Sequence, residues 1–291
     1  MSGPLARIAL VTRLPRLAGR FPGSFFEVKD VSGLMQPSLP GTVPMLSFFG
    51  DNRLASAHPE WVQRNAAGMR AVRSETYFDW DSLCPTRPEV QEAVIEGLRA
   101  ALVPGILGIR LDDVDFAREG FCRCDACAAS FAAARATDPA IDWIAWRADL
   151  ISDVTRRSVA LVRAWQPQLP IYFTLYPDPS PRHQLERFGV DLQAITPLVD
   201  AFVVPLYDLA YTTTYWLESL AWDFRDVLRA PLLLELYALH VDEKVLHHVL
   251  DVAGRYADGL LLAYEEREER AERLLQYAAG ALTAGTGGER T

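Results

Sequence analysis

Eight short apolar runs constrain this chain more than any other feature: ARIALVT (6–12), SFFEVK (24–29), PMLSFFG (44–50), GILGIRLDD (105–113), PIYFTLY (170–176), AFVVPLY (201–207), PLLLELY (231–237) and GLLLAYEE (259–266). Several are nearly continuous in Ile, Leu and Val, as strands buried on both faces of a parallel sheet must be. Amphipathic segments of helical length separate the later runs. Thr86 and Glu89 form a capping-box pattern at the head of RPEVQEAVIEGLRAAL. Further helices are predicted over Ile141–Trp165, stopped by Pro167, and over Thr213–Leu228, Asp242–Tyr256 and Glu268–Leu282. Strand and helix alternating in this way predict an α/β fold of βα-crossovers, and eight strands predict a closed (β/α)8 barrel of the TIM type. The length of 291 residues suits such a barrel, which runs to about 250.

The N-terminal third fits less well. About a dozen residues separate the first two runs, and Pro15, Gly19 and Pro22 leave no room for a full helix. The barrel is therefore expected to be degenerate there, or the 24–29 run to be a loop. No linker or repeat interrupts the chain, so one domain is expected over 1–284, with 285–291 (GTGGERT) a flexible tail. The net charge of −9 argues against a nucleic-acid partner, and no apolar run approaches the roughly 18 residues of a membrane span. The N-terminal MSGPLARIALVTRLPR reads as a first strand and not as a signal peptide. A cytoplasmic location follows, where clustered thiols bind metal more often than they form disulfides. The sequence leaves a homo-oligomer open.

In a barrel of this kind chemistry sits at the C-terminal strand ends. Those ends carry Asp51, Asn52 and Arg53; Asp112, Asp113 and Asp115; Tyr176 and Asp178; Tyr207 and Asp208; Glu235 and Tyr237; Tyr264, Glu265 and Glu266. An acid after a strand is often a helix cap, which is the reading for Asp51 and Asp178. Glu235 differs because it stands inside LLLELYAL, where an unpaired core carboxylate costs at least about 2 to 7 kcal/mol. Strand alternation sends Leu234 and Leu236 to the helix layer and Glu235 inward, to a mouth where Arg53 or a tyrosine is its expected partner. The crowding of Asp112, Asp113 and Asp115 is suited to raising one carboxyl pKa. All four cysteines fall in one pattern, Cys84 then Cys122, Cys124 and Cys127, or C-x37-C-x-C-x2-C. Four soft thiolates fill a tetrahedral structural zinc site.

The segments SLCPTRPEVQEAVIEGL, GIRLDDVDF and FCRCDACAASF together resemble the zinc-binding branch of glycoside hydrolases typified by the family 42 β-galactosidases. HPEWVQRNAAGM (58–69) is similar to a segment in related barrel hydrolases, and the match covers about residues 44–131. The resemblance implies that the four cysteines are zinc ligands, that Asp113 occupies the acid/base position closing strand four, and that Glu235 occupies the nucleophile position of strand seven. The family has Asn-Glu where this chain has Asp112-Asp113, and its large C-terminal domains are not in this sequence, so the substrate class does not carry over. The expected function is glycosidic cleavage by Asp113 and Glu235 on a carbohydrate substrate, about 5 to 5.5 Å apart for retention or 6.5 to 9.5 Å for inversion. Arg53, Asp112, Tyr176, Tyr207, Asp208, Tyr237 and Tyr264 are candidate substrate contacts, with Tyr77 and Trp80 as further stacking rings. Two alternatives stand beside this: an Asp113–Asp208 pair resembling α-galactosidase-like barrels, and a carbohydrate-binding relative without catalysis.

Overall fold

All eight apolar runs form strands: β1 Ile8–Thr12, β2 Phe25–Lys29, β3 Val43–Ser47, β4 Ile109–Asp112, β5 Ile171–Thr174, β6 Ala201–Pro205, β7 Leu232–Tyr237 and β8 Gly259–Ala263. The structure, a computed structural model, describes residues 5–118 and 120–287. Each strand pairs in parallel with the next, and β8 closes on β1 in the register Ile8↔Leu260 to Val11↔Ala263. The helices are α1 Pro15–Arg20, α2 Asn52–Ala57, α3 Pro88–Ala101, α4 Asp125–Thr137, α5 Trp143–Trp165, α6 Pro181–His183, α7 Leu192–Ile195, α8 Tyr215–Val227, α9 Glu243–Ala253 and α10 Glu268–Gly287. The chain is a (β/α)8 barrel.

Alternation along the strands builds two cores. Inward positions such as Val11, Phe25, Met45, Tyr172, Val203, Leu233 and Leu261 pack on one another inside the barrel. Outward positions such as Leu10, Phe26, Leu111, Phe173, Phe202, Leu234 and Leu262 join the helices in the larger outer core. The barrel interior is thus filled at its lower levels, and only the mouth is free for polar groups.

Three expectations are corrected here. The 24–29 run is a true strand and not a loop, so the expected degeneracy of the N-terminal third leaves the sheet complete. The shortfall lies in the helix layer: six-residue α1 follows β1, and among the described residues no helix stands between β2 and β3. Thr86 does not cap α3. The N-cap position is Arg87, without a side-chain hydrogen bond, because Pro88 sets the first turn, and the Thr86 hydroxyl lies 3.1 Å from Cys127 Sγ instead. Finally, α10 runs to Gly287, so 285–287 are helical, while 288–291 lie outside the described residues. Among the described residues no helix is long and apolar enough to cross a membrane.

Candidate active site

Above the apolar interior the inward positions become polar: Glu27 on β2, Ser47 on β3, Arg110 and Asp112 on β4, Thr174 on β5 and Glu235 on β7. They line a cleft of about 400 Å³ at the barrel mouth. Arg110 is its organising group, with 2% of its surface exposed. Its Nε donates to Thr174 Oγ1 at 2.8 Å, its Nη1 donates to Glu235 Oε2, and its Nη2 lies 3.8 Å from Asp112 Oδ1. Burial alone would lower the guanidinium pKa, but Glu235 and then Asp112 outweigh it and the net shift is upward. Glu235 is fully buried, and its other oxygen accepts a hydrogen bond from the Tyr207 hydroxyl. The register Pro205↔Glu235 sets this contact, carrying Tyr207 just past the end of β6. One carboxylate is therefore gripped from two sides by a cation and a phenol.

Asp113 follows β4 with φ +51°, a left-handed conformation uncommon for residues other than glycine and concentrated at functional sites. Its Oδ2 accepts from the Ser47 hydroxyl at 2.5 Å. Burial first and neighbouring Asp112 second push its carboxyl up to about 7, while Ser47, Lys29 and Arg110 hold it back. Burial, then Asp113 and Asp112, push Asp115 well above the usual carboxylate range. Glycine is required at position 50, where an added Cβ would meet Ser47 Oγ at 2.7 Å and Asp113 Oδ2 and Trp80 Cδ1 at 3.0 Å. Lys29 pins this turn, donating to the Ser47 carbonyl at 2.7 Å and the Gly50 carbonyl at 3.0 Å and pairing with buried Asp51 at 3.1 Å.

On β2, two residues before Lys29, stands Glu27, 5% exposed, whose Oε1 accepts from the Tyr264 hydroxyl at 2.7 Å and whose Oε2 lies 3.2 Å from Arg13 Nε. Burial raises its carboxyl pKa against the opposing pull of Tyr264 and Arg13. Sequence reasoning missed both Glu27 and Arg110. The signal that singled out Glu235, a charge inside an apolar strand, is present in FFEVK and GIRLD alike.

The cleft gathers Asp112, Asp113, Tyr176, Tyr207, Glu235 and Tyr264, together with Trp80 and Asp115. Tyr237 lines an adjoining hollow. Arg53 is not there: it is exposed on α2, beyond the Asp51 cap, and its Nε donates to the Gly33 carbonyl at 3.1 Å. Arg110 takes the place expected of it beside Glu235. Asp208 is a turn cap, accepting from Ala210 N at 2.8 Å and Tyr211 N at 3.0 Å, and it does not line the cleft. The geometry therefore does not assemble the Asp113–Asp208 pair. Tyr77 is exposed and stands against Arg118, outside the cleft.

The cysteines form a second centre beside the first. Cys84 precedes α3, Cys122 and Cys124 belong to the loop after β4, and Cys127 lies in the first turn of α4. All four are free and buried, with their sulfurs within 4.8 Å of one another. Three separations are 3.4, 3.6 and 3.7 Å. A tetrahedral ion bound by sulfur at about 2.3 Å implies sulfur edges of about 3.8 Å, so the cage can hold a metal ion with little movement. The Arg64 amide donates to Cys122 Sγ at 3.3 Å, and the Thr86 hydroxyl sits at Cys127, as groups oriented toward thiolates would. Buried Gln63 joins the same two loops, accepting from Ala117 N at 3.0 Å and donating to the Leu83 carbonyl at 3.1 Å.

No protein-family model matches the chain, and no curated protein matches it by sequence. Its fold is similar to that of α-L-fucosidase isoenzyme 2 from Paenibacillus thiaminolyticus, with a TM-score of 0.66 at 15% identity over 98% of this chain and 50% of that one. It is also similar to a β-galactosidase from a Rahnella species, with a TM-score of 0.57 at 14% identity over 84% of this chain and 46% of that one. The chain spans about half the length of each. Its class is the (β/α)8 barrel, the fold it shares with these two glycoside hydrolases.

Proposed function

We propose that the chain is a glycoside hydrolase in which Glu235 is the nucleophile and Asp113 the proton donor. The observation that carries this reading is a pair of carboxyl groups in one cleft with opposed environments. Glu235 is paired with the Arg110 guanidinium and accepts from the Tyr207 hydroxyl, whereas burial and Asp112 push the Asp113 carboxyl up to about 7. In the first step a Glu235 oxygen attacks the anomeric carbon, the glycosidic bond breaks, and the Asp113 proton passes to the leaving oxygen. In the second, water attacks the glycosyl-enzyme, gives a proton to Asp113, and the Glu235 ester is released. Asp112 is placed to accept a sugar hydroxyl, and Tyr176, Tyr207, Tyr264 and Trp80 to cover apolar sugar faces. The fold shared with an α-L-fucosidase and a β-galactosidase supports a glycosidase reading in general, not these residue roles.

The cysteine cage is assigned to zinc with a structural role, since four thiolates leave no position for water. It would fix the loop that carries Asp113 and Asp115 against the segment around Cys84.

A leaving-group series tests the proton donor. Asp113→Asn is expected to lose about 10² to 10⁴ in rate on alkyl glycosides and far less on dinitrophenyl glycosides, which depart with little protonic help. Equal loss on both would remove Asp113 from that role.

A further inference from the structure

The cleft does not end at Tyr264. On its far side lies a second hollow of about 330 Å³, bordered by Tyr237, Leu239 and Glu266 and sharing Arg13 and Tyr264 with the catalytic cleft. We propose that this hollow is a second sugar site, and that the substrate carries at least one further sugar on the side of the scissile residue away from the leaving group. The inference rests on the glycosidase reading above and adds to it the substrate class, an oligosaccharide or polysaccharide chain.

Three observations argue for it. The rings of Tyr207, Tyr237 and Tyr264 stand 5.8 to 6.3 Å apart, so one aromatic wall runs from the phenol that grips Glu235 into the second hollow. Polar groups flank that wall: the Arg13 guanidinium lies 5.3 Å from the Tyr264 ring centroid, and the exposed Glu266 lines the same hollow. Rings edged by hydroxyl-reading groups are what a pyranose presents its two kinds of surface to. Direction follows from the barrel. Asp113 follows β4 and Tyr264 follows β8, four strands away in a ring of eight, on the opposite wall. The leaving group departs past Asp113, so a sugar over Tyr264 belongs to the retained part of the chain. On the β4–β5 side the adjoining hollow at Trp80, Asp115 and Tyr176 measures only about 30 Å³, against about 330 Å³ beyond Tyr264.

The test compares 4-nitrophenyl monosaccharides with the matching 4-nitrophenyl disaccharides. For the preferred sugar, the disaccharide is expected to release nitrophenol with kcat/KM about tenfold or more above the monosaccharide, because contacts away from the reacting centre add to transition-state binding. The other product is the intact disaccharide. Leu239→Trp, which fills the hollow, and Glu266→Lys are each expected to bring that ratio toward one. A ratio of one in the wild type, or stepwise release of single sugars from the non-reducing end, overturns the second site and leaves the glycosidase reading intact. If no glycoside is hydrolysed, the glycosidase reading fails alone, and calorimetric titration with the same compounds decides the hollow. Tighter binding of disaccharide than monosaccharide, lost in Leu239→Trp, supports it; equal binding, or none, overturns it.

Discussion

A buried guanidinium needs its charge answered, and Arg110 is answered by Glu235 with support from Asp112 and Thr174. Removing one partner of such a pair leaves the other charge stranded, at about 3 to 5 kcal/mol. Glu235→Gln is therefore expected to lower stability by about that much in denaturant unfolding, and Arg110→Met in the same chain to recover part of the loss. Additive destabilisation would mean that the two groups are not coupled. For Asp113 the relevant variable is pH. A proton donor must be protonated, so kcat/KM should fall as pH rises through about 7, and Asp113→Asn should lack that limb. Stability gives an independent reading of the same group. Its folded pKa is raised above the ordinary value of 3.8, so between 3.8 and about 7 the folded state holds more protons than the unfolded one. That contribution is present below 3.8 and is lost as pH rises through about 7. The melting temperature of Asp113→Asn relative to wild type should accordingly climb across this window. Glu235 was legible in the sequence because a carboxylate interrupts a leucine run. Arg110 was hidden beside the acid pair Asp112-Asp113, and Glu27 lay in a run whose status as a strand was in doubt.

Elements hold these residues where they act. The loop after β4 is anchored by buried Val114, Phe116 and Phe121, and it must present Asp113 in a left-handed conformation and Asp115 in a crowded acidic wall. Lys29, the Gly50 turn, Gln63 and the cysteine cage share that task. Purified protein is expected to carry about one zinc per chain, and Cys124→Ser to lower the melting temperature as chelation does in the wild type. A well-folded, metal-free protein with intact thiols would remove the zinc assignment. Gly50→Ala should lower activity, because its methyl group would press on the Ser47 and Asp113 oxygens. The cysteine spacing was readable from sequence because all four residues fall in one pattern. The Thr86 capping box was not, since its S/T-x-x-E spacing fits equally well a hydroxyl turned toward a thiolate, with Pro88 starting the helix instead.

At the scale of the whole molecule, periodicity carried most of the fold. Runs long enough for a strand, buried on both faces and separated by amphipathic helices, admit few closed solutions, and the eight-stranded ring is one of them. In the N-terminal third the expected degeneracy is confined to the helix layer, and only the loop alternative for 24–29 failed: a barrel strand needs its neighbours in the sheet, whereas the helix that usually follows it can be short or missing. Which strand-end residues meet over the axis depends on inward register, and this is where sequence reasoning lost Arg53 and Asp208 and failed to find Arg110. Glu235, the proposed nucleophile, is open to direct chemical trapping. Incubation with a panel of activated 2-deoxy-2-fluoro glycosides, followed by peptide mass spectrometry, should add the mass of one sugar to the peptide containing Glu235, with no label in Glu235→Gln. A sugar attached to Asp113 instead, or wild-type glycoside turnover that survives Glu235→Gln, would contradict that role.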